Sequence, residues 1–361
     1  VKNTRLQSPP GSRIGRVLRG IFVIDYTRTT RRRFLRQSAV VGAAGLLSPY
    51  GETLATEEKA GVGKPAPGWV IACRDAHLHD LGEADTAAAM AAIGVDGVEV
   101  SVQLDGTCPG LLGPAKAYSL NDPDAIKHLR DLFEPKRRRI SAFCLHNAFD
   151  QRPEDELRLV RKTSEVAVEL GVPAIRLDVV PRKTKDPDAF FQFAVEIGRK
   201  IVDATRDLPV RFGVENHGGT TNQPGFLRKL FDGVGSKRFG LTLDTGNFYW
   251  FGHPLSKLYD IYEEFAPWAC HTHCKSIRYP EAERDRQRPT GWEYGKYCCP
   301  IYEGDIDFAR VGRILQKAGY RGDLCIENES LGRFPKEQHR DILKKEADML
   351  RRIAHASRES A

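Results

Sequence analysis

The 361-residue chain lacks several patterns that would assign it to common protein classes. It has no Cys-x-x-Cys pair, so the usual ligand spacing of a structural zinc site is missing. No Gly-x-Gly-x-x-Gly motif follows the first predicted strand, which argues against a dinucleotide-binding fold. Beyond residue 55, no apolar run is long enough to cross a bilayer as a helix. What remains is a chain with 41% hydrophobic residues, enough for a sizeable core.

The chain also has little excess charge outside its N-terminal segment, although its formal net charge is +7. Residues 1–55 contain ten lysines and arginines against two acidic residues. This local excess is larger than the net charge of the whole chain, so the remaining residues are close to neutral. A near-neutral body gives no electrostatic reason to expect a nucleic-acid partner.

The basic N-terminal segment contains the stretch "RRRFLRQSAVVGAAGLL", residues 31–47. Paired arginines, then Phe-Leu and a short, weakly apolar stretch are typical of a twin-arginine export signal. We therefore predict a cleaved signal region over 1–55, a linker over 56–68 and a periplasmic or otherwise exported location. The apolar stretch is too short for a transmembrane helix, so no stable membrane insertion is expected after cleavage.

Eight cysteines in an exported protein raise the question of disulfides. Five of them lie inside apolar runs, where a free cysteine behaves as a small buried hydrophobic residue. Cys298 and Cys299 are adjacent and unsuited to pairing with each other. The sequence therefore favours mostly unpaired thiols.

From residue 69 onward, eight short apolar runs alternate with longer amphipathic segments. The runs are rich in Val, Ile, Leu and Phe with little strict alternation, as expected of strands covered on both faces. Eight such units in roughly 260 residues predict an α/β fold, a single (β/α)₈ TIM barrel of parallel strands over 69–335. A C-terminal helix over 336–361 is expected to close it. The predicted strands span 69–79, 94–102, 139–147, 173–180, 210–217, 239–247, 269–276 and 323–330.

Residues with metal-binding side chains end four consecutive predicted strands. They are Glu215, Asp244, the pair His271 and His273, and Glu327. The strands of a parallel barrel deliver their C-terminal ends to one rim, where active sites lie. A set of three carboxylates and one imidazole suits Mn²⁺, Mg²⁺ or Co²⁺ better than a closed zinc site. Structural ion pairs at the strand ends are the alternative.

The run "VEN…LDTGN…HTHCK…EGDIDF…CIENE" resembles the xylose isomerase-like TIM-barrel superfamily over about residues 70–335. That superfamily holds sugar isomerases and epimerases as well as type-IV abasic-site endonucleases. The resemblance implies one divalent metal, preferably Mn, bound by Glu215, Asp244, His273 and Glu327. His273 is chosen because the seventh strand of the family commonly ends in His-x-Lys, and His271 is the alternative ligand.

The resemblance also implies a reaction on a small carbohydrate. The cation binds a hydroxyl and a carbonyl oxygen and stabilises an enediolate, while Glu215 and Glu327 act as general base and acid. Sugar isomerisation or epimerisation is the expected outcome. The alternative at the same site is a lyase or dehydratase acting on keto-sugars, keto-glycosides or cyclitols. Barrels of this group often self-associate, so a homo-oligomer is an expectation that no sequence feature locates.

Further polar residues near the predicted strand ends are candidates for binding the substrate. Any of them could instead be an ordinary rim residue. Glu99, inside the second predicted strand, and His146, which ends the third, are both candidates for which a buried, hydrogen-bonded structural role is the favoured interpretation. The candidates for contacting substrate are Lys275, His217, Asn247, His146 and His77.

Two metal-dependent hydrolase classes compete with this hypothesis. Abasic-site endonucleases use a further histidine three residues after the sixth-strand aspartate, where this chain has Asn247. Amidohydrolases begin with a His-x-His motif, which His77 and His79 match at the end of the first predicted strand. They also need a histidine and an aspartate where this chain has Asp244 and Glu327. Both patterns are therefore incomplete.

Overall fold

The computed structural model describes residues 68–113 and 118–359, which lie within a compact unit, Gly63–Ala361. The predicted signal region, 1–55, lies outside the described residues, as does the predicted linker apart from residue 68. Export and cleavage therefore stay predictions. Within the described ranges, no helix combines the length and hydropathy needed to cross a membrane.

Eight parallel strands form a closed barrel, which confirms the predicted fold class. Each strand pairs with the next one along the chain, and the last pairs with the first. Most strand residues are buried, which explains why the runs showed little polar alternation. The strands are β1 (Val70–Arg74), β2 (Gly97–Val102), β3 (Arg139–Leu145), β4 (Ala174–Leu177), β5 (Arg211–Glu215), β6 (Phe239–Asp244), β7 (Ala269–Cys274) and β8 (Asp323–Ile326).

One long helix follows each strand. The third of them shows how the sequence sets its limits: three acidic residues occupy its first turn, and Gly171 ends it at φ 67°. The last helix packs against the first and seventh helices and so completes the outer ring. The helices are α1 (Thr86–Ile93), α2 (Pro123–Phe133), α3 (Pro153–Leu170), α4 (Pro187–Ala204), α5 (Pro224–Val234), α6 (Leu255–Phe265), α7 (Phe308–Lys317) and α8 (Lys336–Glu359).

Shorter strands and helical turns lie in the connections between the barrel strands and the long helices. Two-stranded ribbons pair Thr107–Cys108 with Tyr118–Ser119 and Ser276–Ile277 with Cys298–Cys299. The remaining helical turns are Asp75–His79, Glu134–Lys136, Asn247–Phe251, Ala266–Trp268, Glu281–Arg284, Tyr294–Tyr297 and Leu331–Arg333.

Seven of the eight predicted strands were too long at their C-terminal ends, and the first one matters most. β1 ends at Arg74, and the residues that follow form a helical turn. The Asp75 carboxylate accepts the backbone N–H and the hydroxyl of Ser101, at 2.7 and 3.0 Å, which ties the chain to β2. The interpretation that His77 and His79 end the first strand is therefore wrong, because both lie on this turn.

All eight cysteines lie in the described residues and are free thiols. Seven of them are buried, and Cys299 is partly buried. The prediction of mostly unpaired thiols is confirmed.

A long polar insertion after β7, residues 277–305, packs against the segment that follows β6. Arg288 lies against the rings of both Tyr249 and Tyr279, with its guanidinium carbon 4.5 and 4.3 Å from their centroids. It also donates hydrogen bonds to the carbonyl oxygens of Tyr249 and His253, at 3.2 and 3.0 Å. Tyr294 of the same insertion donates a hydrogen bond to Glu329, which follows β8. The insertion thus lies beside the barrel mouth, near the ends of β6 and β8.

Candidate metal-binding site

The structure brings the four predicted metal-binding residues together at the C-terminal ends of neighbouring strands. Glu215 and Asp244 are the last residues of β5 and β6, His273 is in β7, and Glu327 follows β8. One ligand-type atom from each lies within 4.8 Å of the others. All four residues are buried, with at most 4% of their surface exposed. Their roles as metal ligands stay predictions.

The spacing of the donor atoms fits one six-coordinate cation. His273 Nδ1 lies 3.0 Å from Glu215 Oε1, 3.3 Å from Glu327 Oε2 and 3.9 Å from Asp244 Oδ2. Around an octahedral ion with bonds of about 2.1 Å, adjacent ligand atoms are about 3.0 Å apart and opposite ones about 4.2 Å. Four protein ligands would leave two coordination positions for substrate oxygens.

Asp244 gives the clearest sign that the cluster suits a cation. Its Oδ1 accepts the backbone N–H groups of Gly246 and Asn247, each at 2.7 Å, which fixes the carboxylate. Its Oδ2 is buried in the cluster, where it accepts no hydrogen bond, and the Lys275 ammonium lies 2.9 Å away. Burial raises the pKa of Asp244 well above its usual value. A hard divalent cation would bind the lone pairs that this oxygen directs into the cluster.

Three basic side chains compensate the carboxylates. Arg176 donates to Glu215 Oε2, and Arg74 donates to Glu327 Oε1. Lys275 Nζ lies 2.9 Å from both Asp244 Oδ2 and Glu327 Oε2. We did not predict either arginine, although a charged residue inside an apolar strand, as in "IACRD" and "AIRLD", is a signal that could have found them.

These cations determine how the two glutamates ionise. Burial alone would raise the pKa of Glu215, but Arg176 and His273 hold it well below its usual value. Burial would also raise the pKa of Glu327, but His273, Lys275 and Arg74 outweigh this effect and hold that pKa well below its usual value. Both carboxylates are therefore charged at neutral pH.

His271, the alternative ligand, faces a different set of partners. Its Nε2 lies 3.0 Å from Glu99 Oε1, and its Nδ1 lies 2.8 Å from Asp323 Oδ1. Burial would lower the pKa of His271, but Asp323 and Glu99 raise it to about 9. The four-residue cluster contains His273 and does not include His271. Glu99 is fully buried and hydrogen-bonded, as its position in a strand suggested.

A second group of metal-type side chains, Asp178, Glu215 and His217, lies next to the cluster. Arg176 already fills it, because Nη2 donates to Glu215 and lies 3.0 Å from Asp178 Oδ1. A cation added there would be repelled by the guanidinium. The arrangement therefore argues against a metal ion bound by Asp178, Glu215 and His217.

Two of the predicted substrate-binding residues touch the cluster directly. Lys275 does so through Asp244 and Glu327, and it also lies 3.1 Å from Glu329 Oε1. Asn247 donates from its side chain to Glu215 Oε1 at 3.2 Å. Both are buried.

The other three predicted substrate-binding residues lie further out. His217 Nδ1 is 3.0 Å from Asp178 Oδ1, and 44% of its side chain is exposed at the mouth. His146 is similarly exposed, so the expectation that it is buried is wrong, and its Nδ1 lies 3.8 Å from Asp178 Oδ2. His77 accepts the backbone N–H of Asn328 at 3.0 Å and so supports the chain beyond β8. His77 therefore lies on the helical turn that follows β1 and contacts the backbone of Asn328. Its prediction rested on a position at the end of β1, which it does not occupy.

Comparison with known proteins agrees with this architecture. The family described as "Xylose isomerase-like TIM barrel" matches residues 87–353. A protein of that description from Mycobacterium smegmatis, in complex with magnesium, is 15% identical, with a TM-score of 0.55 over 77% of this chain and 98% of its own. No curated protein sequence matches the chain.

Two enzymes with different reactions are similar in fold. L-ribulose 3-epimerase is 14% identical, with a TM-score of 0.57 over 81% of this chain and 96% of its own. Mannonate dehydratase from Streptococcus suis serotype 2 is 11% identical, with a TM-score of 0.56 over 81% of this chain and 94% of its own. At these identities, the likeness concerns the fold alone.

Proposed function

Because the chain belongs to the xylose isomerase-like TIM barrel family, we propose that it is a divalent-metal-dependent isomerase or epimerase of a small carbohydrate. The observation that carries the proposal is the convergence of Glu215, Asp244, His273 and Glu327 on one buried point. The similar folds of a magnesium-bound protein and an epimerase support it. We name Mn²⁺ as the preferred ion, with Mg²⁺ or Co²⁺ as substitutes.

A bound divalent cation would polarise a carbonyl and the neighbouring hydroxyl, which makes the C–H proton between them more acidic. The chain supplies the proton carriers. Glu215 and Glu327 come from β5 and β8, and each presents one oxygen to the centre while an arginine holds the other. We propose that one glutamate removes the proton and the other returns one, to the neighbouring carbon or to the opposite face.

Lys275 completes this scheme as a source of protons. Its ammonium group lies 2.9 Å from the centre-facing oxygen of Glu327. Since the pKa of Glu327 is low, this carboxylate needs such a neighbour to carry a proton to substrate. Glu215 has no lysine partner and is the better candidate for the base.

A dehydratase is the second candidate, and Lys275 is the observation that favours it. An ammonium beside the substrate position could protonate a hydroxyl as it leaves from the carbon next to the deprotonated one. A glutamate would take the C–H proton, and the hydroxyl with the added proton would depart as water. The similar fold of mannonate dehydratase is compatible with this outcome.

Proton exchange in D₂O separates these reactions. The purified chain with Mn²⁺ is incubated with unphosphorylated aldoses, ketoses, keto-glycosides and cyclitols and followed by NMR. An isomerase or epimerase places solvent deuterium on the reacting carbon of a product of unchanged formula, whereas a dehydratase gives a product that has lost water. Glu215→Gln and Glu327→Gln are expected to abolish turnover, and full turnover by Glu327→Gln would refute the two-glutamate scheme.

Glu156→Gln is the matched control for these variants. Glu156 is buried to the same degree, but it accepts hydrogen bonds from Asn147 and from the backbone N–H of Ala148, at 2.7 and 2.8 Å. It touches none of the four cluster residues. A loss of turnover in this variant as well would show that the effect comes from general damage to the barrel.

A further inference from the structure

A buried chain of polar side chains extends from His273 into the barrel, and the proposed proton transfers do not use it. His273 Nε2 and His271 Nε2 lie 2.9 and 3.0 Å from the same oxygen, Glu99 Oε1. On the far side, His271 Nδ1 lies 2.8 Å from Asp323 Oδ1. These four side chains are at most 3% exposed. They join β2, β7 and β8 inside the barrel.

The shared oxygen of Glu99 decides where the proton of His273 lies. An ionised carboxylate can only accept hydrogen bonds, so His273 must present an N–H from Nε2. Arg74 Nε lies 3.0 Å from the other oxygen, Glu99 Oε2, and supplies the opposite charge. To bind a metal the imidazole must be neutral, and its second nitrogen then supplies the lone pair. That nitrogen, Nδ1, is the one that faces Glu215, Asp244 and Glu327.

His271 and Asp323 fix Glu99 from the other side. The ring of His271 meets that of His273 nearly edge-on, with centroids 5.2 Å apart and an interplanar angle of 82°. Its two nitrogens connect Glu99 to Asp323, which begins β8 and also accepts from the Tyr320 hydroxyl at 3.2 Å. This arrangement gives a physical reason for two histidines at alternate positions of β7.

We infer that Glu99 is a positioning residue of the candidate metal centre. It holds His273 with its proton on Nε2 and with Nδ1 directed at the three carboxylates, and His271 with Asp323 holds Glu99 in place. The inference rests on the proposed metal-dependent function. Removing such a partner of a ligating histidine typically weakens metal binding by about 10–100-fold.

The test measures Mn²⁺ affinity by titration calorimetry in the full chain. We expect Glu99→Gln, which keeps the side-chain volume but loses the charge opposite Arg74, to weaken Mn²⁺ binding by about 10–100-fold. Glu156→Gln makes the same chemical change at another buried glutamate and is expected to leave the affinity unchanged. Equal affinities in the wild type and Glu99→Gln would overturn the inference.

NMR of ¹⁵N-histidine-labelled protein reports which ring nitrogen of His273 carries a proton. A purely structural role of Glu99 would leave this signal unchanged. In the wild type, we expect a proton on His273 Nε2 both without metal and with diamagnetic Mg²⁺, and a changed signal in Glu99→Gln. An Nε2 that carries no proton would overturn the inference. If Glu99→Gln does not fold, Asp323→Asn is expected to weaken Mn²⁺ binding in the same direction, and an unchanged affinity there would count against it.

The two readouts also separate failure of this inference from failure of the proposed function. A wild-type chain that binds neither Mn²⁺ nor Mg²⁺ would remove the metal-dependent function. A changed His273 Nε2–H signal in metal-free Glu99→Gln, compared with the wild type, would still decide whether Glu99 positions that ring.

Discussion

Lys275 lies against the four-residue cluster, where its positive charge would compete with that of a bound metal. Substituting it tests this competition. Its ammonium group lies 2.9 Å from Asp244 Oδ2 and from Glu327 Oε2, and only 5% of the side chain is exposed. Without metal, Lys275 therefore compensates the charge of both carboxylates. Lys275→Met keeps most of the aliphatic length and removes that charge.

The expected cost to the metal-free protein is large. Breaking a buried ion pair by removing one partner destabilises a protein by about 3–5 kcal/mol. For a domain of this size, each kcal/mol lowers the midpoint of thermal unfolding by about 2 °C. We therefore expect metal-free Lys275→Met to unfold about 6–10 °C below the wild type.

Metal should reverse this loss, because a divalent cation would replace the missing charge. Saturation at a thousand times the dissociation constant contributes about 4 kcal/mol of stability. The assay is thermal unfolding followed by circular dichroism, with EDTA or with Mn²⁺. We expect Mn²⁺ to raise the midpoint more in Lys275→Met than in the wild type, because the competing ammonium is gone.

The matched control is Lys127→Met, which breaks a surface ion pair. Lys127 Nζ lies 2.8 Å from Asp131, but 71% of its side chain is exposed. Exposed pairs contribute little, so this variant should unfold like the wild type. Metal-free Lys275→Met unfolding at the wild-type temperature would refute the view that Lys275 compensates the cluster.

Three further predictions concern other parts of the chain. Burial raises the pKa of Glu346 to about 8, so the folded state holds its proton more tightly, and stability falls as pH rises from about 4.5 to 8. The free energy of unfolding of Glu346→Gln minus that of the wild type, measured with denaturant, should therefore be larger at pH 8 than at pH 6. An equal difference at both pH values would contradict this. Tyr294→Phe should leave Mn²⁺ affinity unchanged in calorimetry, since the phenol contacts Glu329 and not the cluster; weaker Mn²⁺ binding would count against this. Mass spectrometry of exported protein should find the chain cleaved after Ala55, and an intact N-terminus would refute the proposed signal.

The barrel and the four-residue cluster could be predicted because they depend on local patterns. Apolar runs that end in Glu215 or Asp244 mark both a buried strand and the rim where it ends. Since parallel strands bring those ends to one face, the sequence order alone placed the side chains near one another. No distance between strands had to be known.

The rest of the site depends on which strands face each other inside the barrel. Glu99 reaches His273 from β2, which is not a neighbour of β7, and no local pattern encodes that contact. His273 was preferred to His271 only through the resemblance to the family, because the partners of each ring inside the barrel cannot be read from the sequence. The end of β1 was missed because the hydrogen bonds from Ser101 that bend the chain at Asp75 come from β2.

The central claim is that four side chains hold one divalent cation, and metal content tests it most directly. The measurement is elemental analysis of the purified chain beside Glu215→Ala and Asp244→Ala after exposure to Mn²⁺. We predict about one ion per wild-type chain and none in either variant, since each substitution removes one of the buried donor atoms. A wild-type chain without metal after reconstitution, or variants that keep it, would contradict this claim.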